Sequence, residues 1–119
     1  MNETERLRAV ARARVFKAMS HPSRMHIVSL LESGPRNVGE LTDAIGCDIT
    51  TVSKHLSIMR SAGIVIDETR GRSVYYSLYC SCIPRFIRCV DEIVSVKAVR
   101  APARFVHADA DTGRRAIRI

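Results

Sequence analysis

Three of the four cysteines lie close together in the sequence, at Cys80, Cys82 and Cys89. Thiolate sulfur selects soft, thiophilic ions, and a set of three thiols with no histidine beside it suits a three-coordinate centre such as arsenite or antimonite. Zinc, cadmium and lead are the other ions that these donors accommodate. The cluster therefore predicts a binding site for a thiophilic ion.

The same thiols allow a second chemistry that needs no ion. An oxidant can join two neighbouring thiols in a disulfide, and a persulfide can link them through an additional sulfur. A thiol-based redox or persulfide sensor is therefore the alternative interpretation of the cluster. Cys47 stands apart from the other three, and we expect it to pack as a small buried residue rather than to bind an ion.

Helix geometry limits how one ion could be bound. On a continuous helix with a rise of about 1.5 Å per residue, Cys82 and Cys89 would lie about 10 Å apart, too far for two metal–sulfur bonds of about 2.3 Å. A shared ion therefore requires either that Cys82 lie in a loop before Pro84 and fold back, or that a second chain supply a ligand. Both arrangements would couple the site to a dimer interface.

Charge and composition indicate a folded protein with a polyanionic partner. Nineteen Lys and Arg against twelve Asp and Glu give a formal charge of +7, which favours nucleic acid through its phosphates. The 119 residues are 46% apolar, enough for one folded domain. The apolar runs are too short for a membrane span and the first residues lack a signal peptide, so we expect a cytoplasmic location, reduced thiols and no membrane partner.

Apolar spacing and capping residues predict four helices in the first half of the chain. The first covers residues 3–20, with Leu7, Ala11, Val15, Ala18 and Met19 along one side, and the second begins at Pro22. A short third helix follows its cap Asn37 and ends at Gly46, and Asp48 caps a fourth.

The third and fourth helices, joined by the turn Gly46-Cys47-Asp48, form a predicted helix-turn-helix. Val52, Leu56 and Met59 are expected to face inward. The fourth helix would then offer short polar side chains to a DNA major groove, where hydroxyl, imidazole and ammonium groups can contact bases or phosphates. The expected contacts are Thr50, Thr51, Ser53, Lys54 and His55.

A β-hairpin follows the helix-turn-helix. Residues 64–67 and 73–78 are typical strands, and residues 69–72 form the turn between them. Arg70 and Arg72 at the tip would reach phosphates or the minor groove, as a wing does. The predicted fold class is mostly α with a β-hairpin wing (α+β), a winged helix-turn-helix.

Helical spacing returns from Pro84 to about Val99, and we expect this last helix to pair with the same helix of a second chain. Residues 1–99 would thus form the DNA-binding and dimerisation domain. Residues 100–119 are a basic tail whose composition is typical of a loosely held segment.

Four motifs in this order resemble the ArsR/SmtB family of metal- and metalloid-responsive repressors. They are residues 16–24 (FKAMSHPSR), 38–41 (VGEL), 51–56 (TVSKHL) and 71–78 (GRSVYYSL), within a resemblance that covers about residues 10–95. The resemblance implies a homodimer, paired through its N- and C-terminal helices, that binds a double-stranded operator with an imperfect palindrome and releases it when inducer binds.

The resemblance also bears on the inducer. Family members that sense zinc at the last helix carry Asp-x-His, but here Ile93 stands two residues after Asp91. Members that sense through the third helix carry Cys-x-Cys after Glu-Leu, where this chain has Thr42 and Asp43. The C-terminal cysteines resemble those of arsenic-responsive members, so arsenite is the first choice of inducer.

Two other classes of protein are weighed against a repressor. No phosphate loop, serine elbow or His-Glu-x-x-His motif is present, so the sequence does not favour an enzyme and predicts no required cofactor. A basic interaction module or a non-specific DNA architectural protein would bind all duplexes alike, with a steep dependence on salt.

Overall fold

The computed structural model describes residues 1–95, which form five helices and a three-stranded antiparallel sheet of order β1-β3-β2. The chain divides into two compact units, Met1–Ile83 and a segment that begins at Pro84. The predicted tail, residues 100–119, and the expected helix end at Val99 lie outside the described residues. The elements are α1 (Glu3–Met19), α2 (Pro22–Leu31), β1 (Arg36–Asn37), α3 (Val38–Ile45), α4 (Ile49–Ser61), β2 (Val65–Arg70), β3 (Ser73–Leu78) and α5 (Cys82–Ile93).

The ends of α3 and α4 follow from their capping residues. Asn37 and Glu40 form a reciprocal capping box, in which each side chain accepts a hydrogen bond from the other residue's backbone N–H. Gly46 ends α3 with a φ of 87°, a conformation that favours glycine. Asp48 accepts a hydrogen bond of 2.7 Å from the backbone N–H of Thr51 and thereby starts α4. The predicted caps of both helices are confirmed.

The core lies where α2, α3 and α4 meet the start of β2. The inward-facing residues predicted for α4 are confirmed, because Val52, Leu56 and Met59 are completely buried. Among residues 1–95, the other apolar side chains that are at most 2% exposed are Ile27, Val28, Leu41, Ile64 and Val65. None of the helices in residues 1–95 is long and apolar enough to cross a membrane.

Helix α1 is buried only at its C-terminal end. Its contacts with α2 and α4 bury only Ala18 and Met19, at its C-terminal end. Leu7 is 59% exposed and Val15 is 36% exposed, so the apolar side predicted for this helix is largely uncovered within the described part of one chain. An apolar helix face that is exposed in one chain can be covered by another protein.

The sheet and the last helix differ in extent from the prediction. Sequence periodicity did not predict β1, whose two residues pair with Tyr75 and Tyr76 of β3. Strand β2 extends to Arg70, so the wing turn is shorter than expected, with Gly71 at a φ of 62°. Helix α5 begins at Cys82 rather than at Pro84, because proline is tolerated in the first turn of a helix.

We expect Leu56→Ala to lower the free energy of unfolding by about 2–5 kcal/mol, because the substitution leaves a cavity beneath α4. Ile58→Ala is the matched control on the same helix, since Ile58 is 42% exposed while Leu56 is completely buried. Urea unfolding followed by circular dichroism measures both changes. Equal losses for the two variants would contradict the described core.

The cap of α4 predicts a pH dependence of stability. The hydrogen bonds from Thr51 hold the pKa of Asp48 below its ordinary value of 3.8. A lowered folded pKa stabilises the protein above 3.8 and loses that contribution as the pH falls through the folded value. We therefore expect Asp48→Ala to be destabilising near neutral pH and to converge with the wild type in acid. Urea unfolding across pH measures this, with exposed Asp43→Ala as control; a constant difference between wild type and Asp48→Ala would refute it.

Candidate nucleic-acid interface

The helix-turn-helix consists of α3, a three-residue turn and α4. The turn begins at Gly46, whose backbone N–H donates to the carbonyl of Thr42 at 2.9 Å, and it ends at the cap residue Asp48. Both ends of the turn are therefore fixed by local hydrogen bonds, one of which ends α3 while the other starts α4, and the two helices pack against each other.

The exposed side of α4 carries the polar side chains expected to contact DNA. Thr50, Ser53 and Lys54 are exposed, and Thr51 is half-buried with its backbone N–H bonded to Asp48. Hydroxyl groups can donate to or accept from base edges, and the ammonium group of Lys54 can contact guanine or a phosphate. The structure therefore brings four of the predicted contacts together on one helical surface.

His55 does not belong to this polar surface, and its predicted outward orientation is wrong. Its side chain is 8% exposed, and its Nδ1 accepts a hydrogen bond of 3.1 Å from Nε of Arg24. The reason is visible in the spacing, because residues 52, 55, 56 and 59 follow the i, i+3, i+4, i+7 pattern of a buried helix face. His55 is thus a polar member of the core and not an exposed contact.

The two wing arginines have different surroundings. Arg70 forms an ion pair of 3.2 Å with Glu68, and its guanidinium carbon lies 4.8 Å from the centre of the Tyr75 ring. Arg72 is exposed on the turn, with no hydrogen bond or ion pair to any other residue within 1–95. An exposed ion pair is weak, so Arg70 can exchange Glu68 for a phosphate, but Arg72 is available without that exchange.

One contact that positions the wing was missed by the sequence analysis. Nη1 of Arg60, near the end of α4, donates to Oδ2 of Asp67 on β2 at 2.9 Å. The ion pair connects the recognition helix to the strand that leads to the wing tip. Opposite charges on either side of the turn at Gly63 were the available signal, but their pairing depends on how the chain reverses there.

The cysteines occupy three different environments. Cys80 and Cys82 form a disulfide, with Cα atoms 5.2 Å apart, and the backbone N–H of Cys82 donates to Sγ of Cys80. Cys89 is an exposed free thiol on α5, and Cys47 is a half-buried thiol in the turn between α3 and α4. Because α5 begins at Cys82, this residue does not take the loop position before the helix that a shared ion within one chain would require.

The disulfide also determines when Cys80 and Cys82 can bind an ion. Thiolates bind soft ions, so Cys80 and Cys82 can bind one only after the disulfide has been reduced. In the part of the chain that the structure describes, no three His, Cys, Asp or Glu side chains are grouped so as to hold a metal ion. The assignment of Cys80, Cys82 and Cys89 to one ion remains a prediction.

Comparisons with known proteins agree with this architecture. Residues 21–67 match the family described as bacterial regulatory protein, arsR family. The chain is 40% identical over 67 residues to the HTH-type transcriptional regulator NmtR of Mycobacterium tuberculosis, a match that covers 56% of each protein. It is 36% identical over 64 residues to the transcriptional repressor SdpR of Bacillus subtilis, which covers 54% of this chain and 71% of SdpR.

Among solved structures, the homodimeric winged helix-turn-helix DNA-binding domain Mb0332 of Mycobacterium bovis superposes with a TM-score of 0.73 at 27% identity. The match covers 80% of this chain and 88% of that domain. The relatives are transcriptional regulators, and none of these matches is an enzyme. The chain belongs to the ArsR/SmtB family of bacterial regulatory proteins and is a DNA-binding transcriptional regulator with a winged helix-turn-helix fold, not an enzyme.

Proposed function

We propose that the chain is a homodimeric repressor that binds a double-stranded operator with an imperfect palindrome and releases it when a thiophilic inducer, first of all arsenite, binds Cys80, Cys82 and Cys89. One observation carries the DNA-binding part of this proposal. Helix α4 is held by a buried apolar face and directs Thr50, Ser53 and Lys54 outward. The similarity to the repressor SdpR supports repression as the outcome of binding.

In this function α4 enters the major groove, and the wing follows the neighbouring backbone. Thr50, Thr51 and Ser53 contact base edges or phosphates, Lys54 adds a cation, and Arg72 reaches a phosphate or the minor groove. Two copies of α4 in a dimer would lie about 34 Å apart, one turn of DNA, which matches the two half-sites of a palindrome.

Exposed apolar residues on the terminal helices support dimerisation. On α1, Leu7 and Val10 are 59% and 52% exposed, and on α5, Ile93 is 67% exposed. Each helix thus has an apolar side that a second copy of the chain can cover. The homodimeric domain Mb0332 supports the same assembly by similarity of fold.

The cysteines provide the inducer site in this proposal. Cys80 and Cys82 are close enough to be bonded to each other, and Cys89 is exposed. In the reduced protein, Cys80 and Cys82 would supply two thiolates from one segment, and Cys89 of either chain would supply the third. Inducer releases the operator only as far as it binds the released form of the dimer more tightly than the DNA-bound form.

The disulfide between Cys80 and Cys82 favours a second candidate, a thiol-based redox repressor. A hydroperoxide can oxidise one thiolate to a sulfenic acid and leave as an alcohol, after which the second thiol displaces water and forms the disulfide. Two electrons pass from the two thiols to the peroxide. The DNA-binding surface would be the same, and only the signal would differ.

Replacing a single Lys or Arg of the proposed interface by Ala should weaken DNA binding without unfolding the protein. We expect Lys54→Ala to weaken binding to a selected operator by about 1–3 kcal/mol, and Arg72→Ala to lower the salt dependence by the equivalent of about one phosphate contact. Arg70→Ala should have the smaller effect of the two wing variants, because Arg70 is paired with Glu68. Fluorescence anisotropy on a duplex selected from a random pool measures affinity, with circular dichroism as the test of folding.

Unchanged affinity in the folded Lys54→Ala and Arg72→Ala variants would remove these residues from the interface. A wild-type protein that binds every duplex equally, with only a steep salt dependence, would instead indicate the non-specific architectural protein.

The inducer can be identified by operator release from the reduced protein, titrated separately with arsenite, zinc, cadmium, a persulfide donor and a hydroperoxide. We expect Cys80→Ser, Cys82→Ser and Cys89→Ser to bind operator and to lose release by arsenite. Cys47→Ser is the matched control and should respond like the wild type. Release only by the persulfide or the peroxide, reversed by a reductant, would favour the redox repressor; loss of operator binding in the serine variants would indicate a structural role for the thiols.

A further inference from the structure

The side chain of Arg24 connects three helices behind the DNA-binding surface. Its Nη1 donates to the carbonyl of Ala18 at the end of α1, at 3.2 Å, and its Nε donates to Nδ1 of His55 on α4, at 3.1 Å. The ring of His21, the cap residue of α2, lies 4.4 Å from the ring of His55. Arg24 thus bonds the corner between α1 and α2 directly to the recognition helix.

These contacts determine the protonation state of His55. Its Nδ1 can accept a hydrogen bond from a guanidinium only when that nitrogen carries no proton, so the ring is neutral, with its proton on Nε2. A protonated ring would have no acceptor for Arg24 and would place a second positive charge against it. The bond between α2 and α4 therefore exists only with the neutral form of His55.

The surroundings of the ring favour that neutral form. Burial of the ring, followed by electrostatic interaction with His21 and Arg24, lowers the pKa of His55 from its ordinary value of 6.5. His21 and Arg24 both belong to the α2 side, α1 contributes the Ala18 carbonyl, and no group of α3 or β2 contributes to the shift. Among residues 1–95, no acidic side chain lines the groove that Arg24 forms with Arg14 and Lys17.

The bond has a direct geometric consequence for DNA binding. Apolar packing of Val52 and Leu56 holds α4 in place without directional preference, whereas a hydrogen bond fixes an angle as well as a distance. His55 is adjacent in sequence to Lys54 and lies two residues after Ser53, so the orientation of its side chain limits rotation of α4 about its own axis. That rotation sets the direction of the outward-facing side chains.

We propose that Arg24 and His55 are positioning residues for operator recognition, which hold the recognition helix in its DNA-reading orientation through a hydrogen bond that requires neutral His55. The proposal rests on the proposed function, because it concerns the same DNA-binding surface. It adds that acid weakens operator binding through a residue that does not touch DNA. Below pH 6.5, protons favour states in which the bond between Arg24 and His55 is broken.

Two variants of His55, one variant of Arg24 and a control at His26 test the proposal on the duplex selected by the wild-type protein. His55→Leu fills the space without an acceptor, and we expect it to weaken operator binding about tenfold, the equivalent of one lost directional contact. His55→Asn retains an acceptor oxygen near the position of Nδ1 and cannot titrate, so we expect operator affinity close to that of the wild type. Binding to an unrelated duplex at low salt should be the same for all, because phosphate contacts tolerate rotation of α4.

The pH profile distinguishes positioning from a merely structural role. From about pH 8 to about pH 5.5, the operator affinity of the wild type should fall more than that of His55→Asn, because only the wild type has the titrating ring. His26→Asn, which replaces an exposed histidine on α2, should show the wild-type profile. Arg24→Lys keeps the charge but loses the guanidinium geometry, and we expect it to weaken operator binding as His55→Leu does.

Either the operator affinities or the pH profiles can overturn the proposal. Wild-type operator affinity in His55→Leu, or identical pH profiles for the wild type and His55→Asn, would exclude a positioning role. If His55→Leu does not fold, the comparison of the wild type with His55→Asn and Arg24→Lys still tests whether Arg24 and His55 position α4. A wild-type protein that selects no preferred duplex would overturn the proposed function itself, before any variant is compared.

Discussion

The apolar packing of α4 against the helices behind it determines which side of that helix is offered to DNA. Val52, Leu56 and Met59 are completely buried against α2, α3 and the start of β2. A helix rotates by a fixed angle per residue, so burial of one side dictates which residues face solvent. Ser53 and Lys54 are exposed because their neighbours in sequence are inside.

Apolar packing does not fix the axial position of α4 or the angle of the hairpin beside it. Polar contacts at both ends of α4 fix them. Asp48 bonds the first turn of the helix, and Arg60 connects its last turn to Asp67 of the wing. Hydrophobic contact favours burial but fixes neither the axial position of a helix nor the angle of the hairpin beside it. The helix and the wing are therefore joined as one surface by hydrogen bonds and an ion pair at the periphery of the core.

The parts of the fold that local sequence determines could be predicted, and the parts that depend on distant partners could not. Caps such as Asn37 and Asp48 act within three residues, so both ends of α3 and the start of α4 were predicted. Strand β1 exists only because β3 pairs with it, and Arg24 lies 31 residues from its partner His55. The outward orientation predicted for His55 was wrong because two signals conflicted. Its spacing placed it on the buried face of α4, whereas its polarity indicated the exposed face.

Helix α1 is long and well capped, yet it buries only Ala18 and Met19 and leaves Leu7 and Val10 in solvent. A second copy that covers those side chains binds the folded chain and not the unfolded one, and therefore stabilises the fold by mass action. The midpoint of thermal unfolding should then rise with protein concentration. In the cell, the concentration of dimer able to occupy a two-fold symmetric site would rise more steeply than linearly with the amount of this regulator that is made.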